Sequence, residues 1–235
     1  MNYLLLLLIL TMPIFSNQVY KYNGEAFDLK TGKKLYSDYH EEIYLNGKHI
    51  SSNINYKDPS GKIIAKKKIV FQKNEERADF KLEDFRDGYI EGAEVNGSQI
   101  KFIYRKNNSE ELKEQIINSP ENAVLDGGFD VFIRKNWDEI LSGKRLTLNL
   151  CAPSQMDCFK FAAFKVSEQK WKGIDSVKVR VELNNRILAA FVQPIIIHYE
   201  KETKRILQYE GISNINNEDG KSYVVRIIYT YPPSK

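Results

Sequence analysis

Aromatic and β-branched side chains recur at alternate positions in almost every segment between two turn signals, and a period of two is the signature of a pleated sheet. Four strands are expected in a meander over 18–27, 34–45, 48–56 and 62–71. Their joints fall at 30–32, at Asn46-Gly47 and at Asp58-Pro59-Ser60-Gly61. Asn-Gly is the strongest short hairpin signal, because both residues tolerate the positive φ of a type I′ turn. Asn96-Gly97 repeats it between strands over 89–95 and 99–104. Further strands are expected over 176–183, 195–199, 205–209 and 223–231, and the fourteen Tyr and twelve Phe suit this reading.

Two helices interrupt the strands. Phe129, Phe132, Ile133, Trp137, Ile140 and Leu141 fall at i, i+3, i+4, i+7 spacing and share one face, with Arg134, Lys135, Asp138 and Glu139 on the other. Gly143 is placed as the C-cap of this helix and Asp126 as its N-cap. A shorter helix is expected over 109–117, opened by Ser109 with Glu110 and Glu111 in its first turn, and a third, brief one over 185–193, stopped by Pro194. The fold class is therefore mainly β: a single curved antiparallel sheet, or incomplete barrel, of about ten or eleven strands wrapping one amphipathic helix. Residues 17–235 form that one domain.

The first sixteen residues read as an export signal. An apolar run from Tyr3 to Met12 stops at Pro13, is too short to span a bilayer, and leads to Ile14 and Ser16, which suit cleavage after Ser16. No Lys or Arg precedes the run, so an uncleaved N-terminal anchor is the rival reading. Export also bears on the two cysteines, Cys151 and Cys158, since disulfides persist outside the cytoplasm. Leu146, Leu148 and Leu150 lead into the first and Phe159, Phe161 and Phe164 follow the second, so a bridge across the base of a hairpin loop is expected. A net charge of +4 from 35 basic and 31 acidic residues is a mixed surface without a basic block longer than Lys66 to Lys68. Nucleic acid is not an expected partner.

Residues able to carry chemistry form no signature. His40, His49 and His198 make no metal motif, and half-exposed strand histidines are the expectation; no metal or other cofactor is implied. Asp84, Arg86, Asp87, Glu91 and Glu94 crowd around Gly88 and Gly92. Paired carboxylates there would suit acid–base hydrolysis, whereas the plainer account has Asp84 capping a turn, Gly88 bending it and Arg86 pairing a carboxylate. Asp126-Gly127-Gly128 lacks the Lys-Ser/Thr of a phosphate loop, and its glycines suit a close approach of the backbone to the sheet.

Tyr22-x-Gly24-x-Ala26-x-Asp28, Gly32 to Tyr36, His40, Asp84-x-Arg86-x-Gly88-Tyr89-x-Glu91-Gly92, Gly128-Phe129-Asp130 and Tyr209-x-Gly211-x-Ser213-Asn214 resemble uncharacterised exported proteins of Gram-negative bacteria. That resemblance implies a periplasmic location and attaches no activity. In outline the chain also resembles the LolA/LolB lipoprotein-carrier superfamily, whose incomplete barrel covers a helix beside an apolar cavity. The resemblance implies a non-enzymatic binding protein for a lipid or an acylated protein, touching the membrane only transiently or through an uncleaved N-terminus, in which Phe129, Phe132, Ile133 and Trp137 either fill the barrel as core, the plainer account, or line its pocket. Two alternatives stay open: a hydrolase built on the cluster from Asp84 to Glu94, and a structural module of the envelope. Oligomeric state is not legible.

Overall fold

The computed structural model describes residues 17–71, 74–190 and 192–233, so the expected export signal lies outside the described residues. Fifteen strands form one continuous sheet. The first eight are β1 (Asn17–Asp28), β2 (Lys34–Leu45), β3 (Lys48–Lys57), β4 (Ile63–Val70), β5 (Asp79–Asp84), β6 (Ile90–Asn96), β7 (Gln99–Arg105) and β8 (Lys113–Asn118). After β9 (Ala123–Leu125) come α1 (Gly128–Lys135) and α2 (Trp137–Leu141). Then follow β10 (Leu146–Ala152), β11 (Asp157–Trp171), β12 (Ile174–Leu183), α3 (Arg186–Ala189), β13 (Ile195–Glu200), β14 (Ile206–Asn216) and β15 (Ser222–Thr230). The spatial order runs from β8 back to β1, across to β15, and back again to β9, so the two chain halves meet where β1 pairs with β15. Only the β9–β10 pairing is parallel. The sheet is curved and open, with β8 and β9 at its free edges.

The turns obey their local chemistry. Asn46 and Gly47 both take positive φ, 52° and 77°, as a type I′ hairpin requires. At the second Asn-Gly the loop slips by one residue: Asn96 pairs with Gln99, and Gly97 alone is positive, at 60°. Glycine at the first central position is the type II′ arrangement.

The fifteen strands exceed the ten or eleven expected, and β5, β8 and β9 fall where no strand was expected. Residues 109–117 were expected as a helix; instead Lys113–Asn118 is β8, an edge strand. Ile117 stands opposite Ile100 of β7 and packs on the core, so pairing to a hydrophobic neighbour overrode helix-favouring residues. The long helix is two. Asn136 leaves helical geometry (φ −100°, ψ 25°) and its side chain donates to the Phe132 carbonyl at 2.8 Å, the competition for backbone acceptors that makes Asn a poor helix interior. Gly143, at φ 86°, follows the Ser142 C-cap: its N–H bonds Ile140 O and that of Lys144 bonds Glu139 O, a Schellman closure. Asp126 does not cap α1 through its side chain; Gly127 occupies that position uncapped. A Cβ on Gly128 would stand 2.0 Å from Glu76 O, so the helix start lies against backbone.

Two apolar clusters fill the structure. One gathers β1 to β7 with parts of β9, β14 and β15 around Tyr36, Leu82, Ile100 and Phe102. The other seats Phe132, Ile133, Trp137 and Ile140 on Leu146, Leu148, Val177, Val179, Val181, Ile197 and Tyr199 of β10 to β13. Trp137 is 4% exposed. Cys151 and Cys158 are directly opposed on β10 and β11 and joined by the expected disulfide.

Candidate binding cavity

Cross-strand partners point to the same face of a sheet, so the strand register decides which distant residues share the interior. Glu91, Leu82, Lys67, Ile54, His40 and Tyr22 are successive partners from β6 to β1. Asp84, Ala65, Tyr56, Asp38, Gly24 and Tyr229 form a second row from β5 across to β15. A bulge shifts the β2–β3 register beside Ile43 and sets His40 opposite Ile54. These rows carry acids, a lysine and tyrosines onto the concave side.

There they border a cavity of about 680 Å³ with a mixed lining. Helix α1 and strands β10 to β15 present Phe129, Leu150, Phe161, Ile195, Ile197, Ile206, Ile212 and Ile227. Strands β2 to β6 present Tyr36, Asp38, His40, Tyr56, Lys67 and Glu91 together with Ile54 and Phe80, and Asp130, Tyr209, Ser213, Asn214 and Tyr229 add polar groups from α1, β14 and β15. A neighbouring cavity of about 880 Å³ is lined by Tyr20, Tyr22, Glu42, Tyr44, Arg134, Arg205 and Tyr231, and shares Asp130 and Ile206 with the first.

Lys67 is buried in this lining. Its ammonium donates to Asp126 Oδ1 at 3.1 Å and to Asn214 Oδ1 at 3.3 Å, and lies 2.8 Å from Asp126 Oδ2. Burial pulls Lys67 toward neutrality, but Asp126, Tyr56 and Glu91 together outweigh it and hold the group above the ordinary lysine range. Glu91 accepts from the Asn214 amide at 2.7 Å and the Tyr89 hydroxyl at 2.9 Å. Burial, with Asp126 nearby, raises it above the usual carboxylate range. Tyr36 and Ser213 share a hydroxyl hydrogen bond of 2.6 Å. At the junction of the two cavities Asp130 pairs with Arg134 at 2.9 Å, and burial raises its carboxyl as well.

The expected site residues are dispersed by this geometry. Phe129 borders the cavity, while Phe132, Ile133 and Trp137 pack into the cluster beneath the helices. Asp84 is buried and bonded bidentately by Arg86, whose Nη2 also donates to Asn216 O at 2.9 Å. Asp87 accepts from the Tyr89 N–H at 3.0 Å, and Glu94 is exposed. Of that segment only Tyr89 and Glu91 reach the cavity. Lys67, Asp38 and Tyr56 escaped sequence reasoning; the one available signal was their phase, since each lies two residues from an inward apolar or aromatic residue (Ala65 and Ile69, Tyr36, and Ile54) and so shares its face. His49 stacks on Tyr44 and His198 is buried on β13; burial lowers both below the ordinary histidine range. Among the described residues no three metal-binding side chains stand together.

No family model and no curated protein sequence matches the chain. Among solved structures, a DUF1329 family protein from Desulfovibrio piger overlaps 93% of this chain and 85% of its own at 11% identity, but a TM-score of 0.31 carries no argument. The crystal structure of a β-barrel-like protein of a domain of unknown function, DUF1849, from Brucella abortus covers 91% of this chain and 96% of its own, with a TM-score of 0.57 at 7% identity. What this chain shares with that protein is the barrel-like fold, and at such identity a fold alone.

Proposed function

We propose that the chain is an exported, periplasmic binding protein that takes an amphiphilic, lipid-like ligand, or the acyl group of a partner protein, into the interior cavity and performs no chemistry on it. The observation that carries this reading is the mixed lining: Phe129, Leu150, Phe161 and a run of isoleucines from β13 to β15 share one cavity with tyrosines and charged groups. An apolar chain would lie on the former and its polar end on the latter. About 680 Å³ falls within the roughly 300–1,000 Å³ of preformed small-molecule sites. The barrel-like fold suits such a role, and the Cys151–Cys158 disulfide suits an oxidising compartment. The test is titration of the purified protein with 1-N-phenylnaphthylamine, whose fluorescence rises in apolar surroundings. Saturable binding that is lost in Phe129→Asp, with the circular dichroism spectrum retained, is expected; an unsaturable signal, or one indifferent to Phe129→Asp, refutes the reading.

A further inference from the structure

Most charges around the cavity already have a countercharge. Asp126 has Lys67 and Asp130 has Arg134, while Glu91 takes two hydrogen bonds from neutral donors. Asp38 has no lysine or arginine beside it among the described residues, only the His40 imidazole, whose Nε2 lies 3.2 Å from Oδ1. Its side chain is 4% exposed and borders the cavity, and neither Asp38 Oδ1 nor His40 Nε2 makes a hydrogen bond among the described residues. Buried polar atoms left so cost free energy unless something satisfies them.

Opposite Asp38 on β1 is Gly24, where an added Cβ would stand 2.3 Å from Asp38 Oδ1, 2.7 Å from Ile227 Cγ2 and 2.9 Å from Tyr229 Cε1, so the carboxylate packs directly on the glycine backbone on that side. Tyr36, Tyr56 and Tyr229 border the cavity together with Asp38, and Tyr229 meets the His40 ring edge-on at 5.9 Å. A buried carboxylate with no lysine or arginine beside it attracts cations.

We infer that this corner receives a primary ammonium group carried on an aliphatic chain, its N–H groups donating to Asp38 Oδ1 and His40 Nε2. With the imidazole proton on Nδ1, Nε2 is an acceptor, and one ammonium has donors enough for both atoms. The inference rests on the reading that the cavity takes an amphiphile, and names the charge of its polar end. An anionic end directed to Lys67 is the opposite outcome, disfavoured because Asp126 already neutralises that lysine.

The two readings fail separately in one experiment. Dodecylamine, dodecanol and dodecanoate, each below its micellar threshold at neutral pH, compete for bound 1-N-phenylnaphthylamine. Dodecylamine is expected to bind roughly tenfold or more tightly than dodecanol, as hydrogen bonds to a charged group imply, with dodecanoate weakest. In Asp38→Asn the advantage of the amine disappears while the affinity for dodecanol is unchanged. Absence of probe binding and of all competition refutes the cavity reading itself. Equal affinities, preference for dodecanoate, or an amine preference that survives in a folded Asp38→Asn refutes the ammonium inference alone. The ranking in the unaltered protein decides the matter even where the variant does not fold.

Discussion

The two halves of the sheet bury their inner faces by different means. From β10 to β13 the interior is aliphatic, and α1 and α2 lie on it with Phe132, Ile133, Trp137 and Ile140 fully engaged. From β1 to β7 the interior mixes aliphatics with Tyr36, Tyr56, Lys67, Asp38 and Glu91, and the cavity opens between the two surfaces. An aliphatic surface can be covered by any apolar stripe of the right size, so one amphipathic helix suffices. A surface bearing charges must satisfy each of them, and it leaves space where a group is not matched.

That contrast is most sharply broken at one residue on each side. Trp137→Ala removes the largest apolar side chain of the helix side and is expected to cost about 3–5 kcal/mol in urea unfolding. Lys67→Met strands Asp126 without its countercharge and is expected to cost a similar ~3–5 kcal/mol. The second loss is rescued by adding Asp126→Asn, whereas no polar substitution rescues the first; equal behaviour of the two sides would erase the distinction. A smaller effect is expected within the helix-covered half, where the disulfide closes a short loop between β10 and β11. Replacing both cysteines by Ser should lower stability by about 2–3 kcal/mol on the loop-entropy estimate, without changing the sheet content read by circular dichroism.

Acid titration has opposite signs at a buried carboxyl and at a buried imidazole, whichever half holds them. Glu91, on the polar side, is raised above 4.5, so the folded state holds its proton more tightly and stability falls as pH rises from 4.5 through the folded value. The stability of Glu91→Gln relative to the unaltered protein should therefore be constant below pH 4.5 and improve above it. His198, on the helix side, is lowered below 6.5, so the unfolded chain binds the proton more readily and stability falls as pH drops below 6.5. His198→Gln should lessen that loss; denaturation curves across pH 4 to 8 would expose either sign as wrong, the range being about that in which such groups titrate. The smallest change is expected at the free edge. Ile116→Lys on β8, 59% exposed, should alter stability by no more than about 0.5 kcal/mol, because nothing covers that side chain.

The fold class, the hairpins and the helix face were legible because each depends on neighbours in sequence: period two, Asn46-Gly47, and the spacing from Phe129 to Leu141. The disulfide was legible for the same reason, its cysteines closing a single hairpin. Residues 109–117 were misread because an edge strand owes its state to a partner, Ile100 and its neighbours on β7, that local propensity does not contain. The cavity was hidden more deeply. Lys67, Asp126 and Asn214 are far apart in the chain, and only the lateral registry of six strands and the curvature of the sheet bring them within hydrogen-bond distance. Composition and periodicity fix which residues face inward; which of them meet is decided by long-range pairing, since a shift of one residue turns every side chain of a strand to the other face.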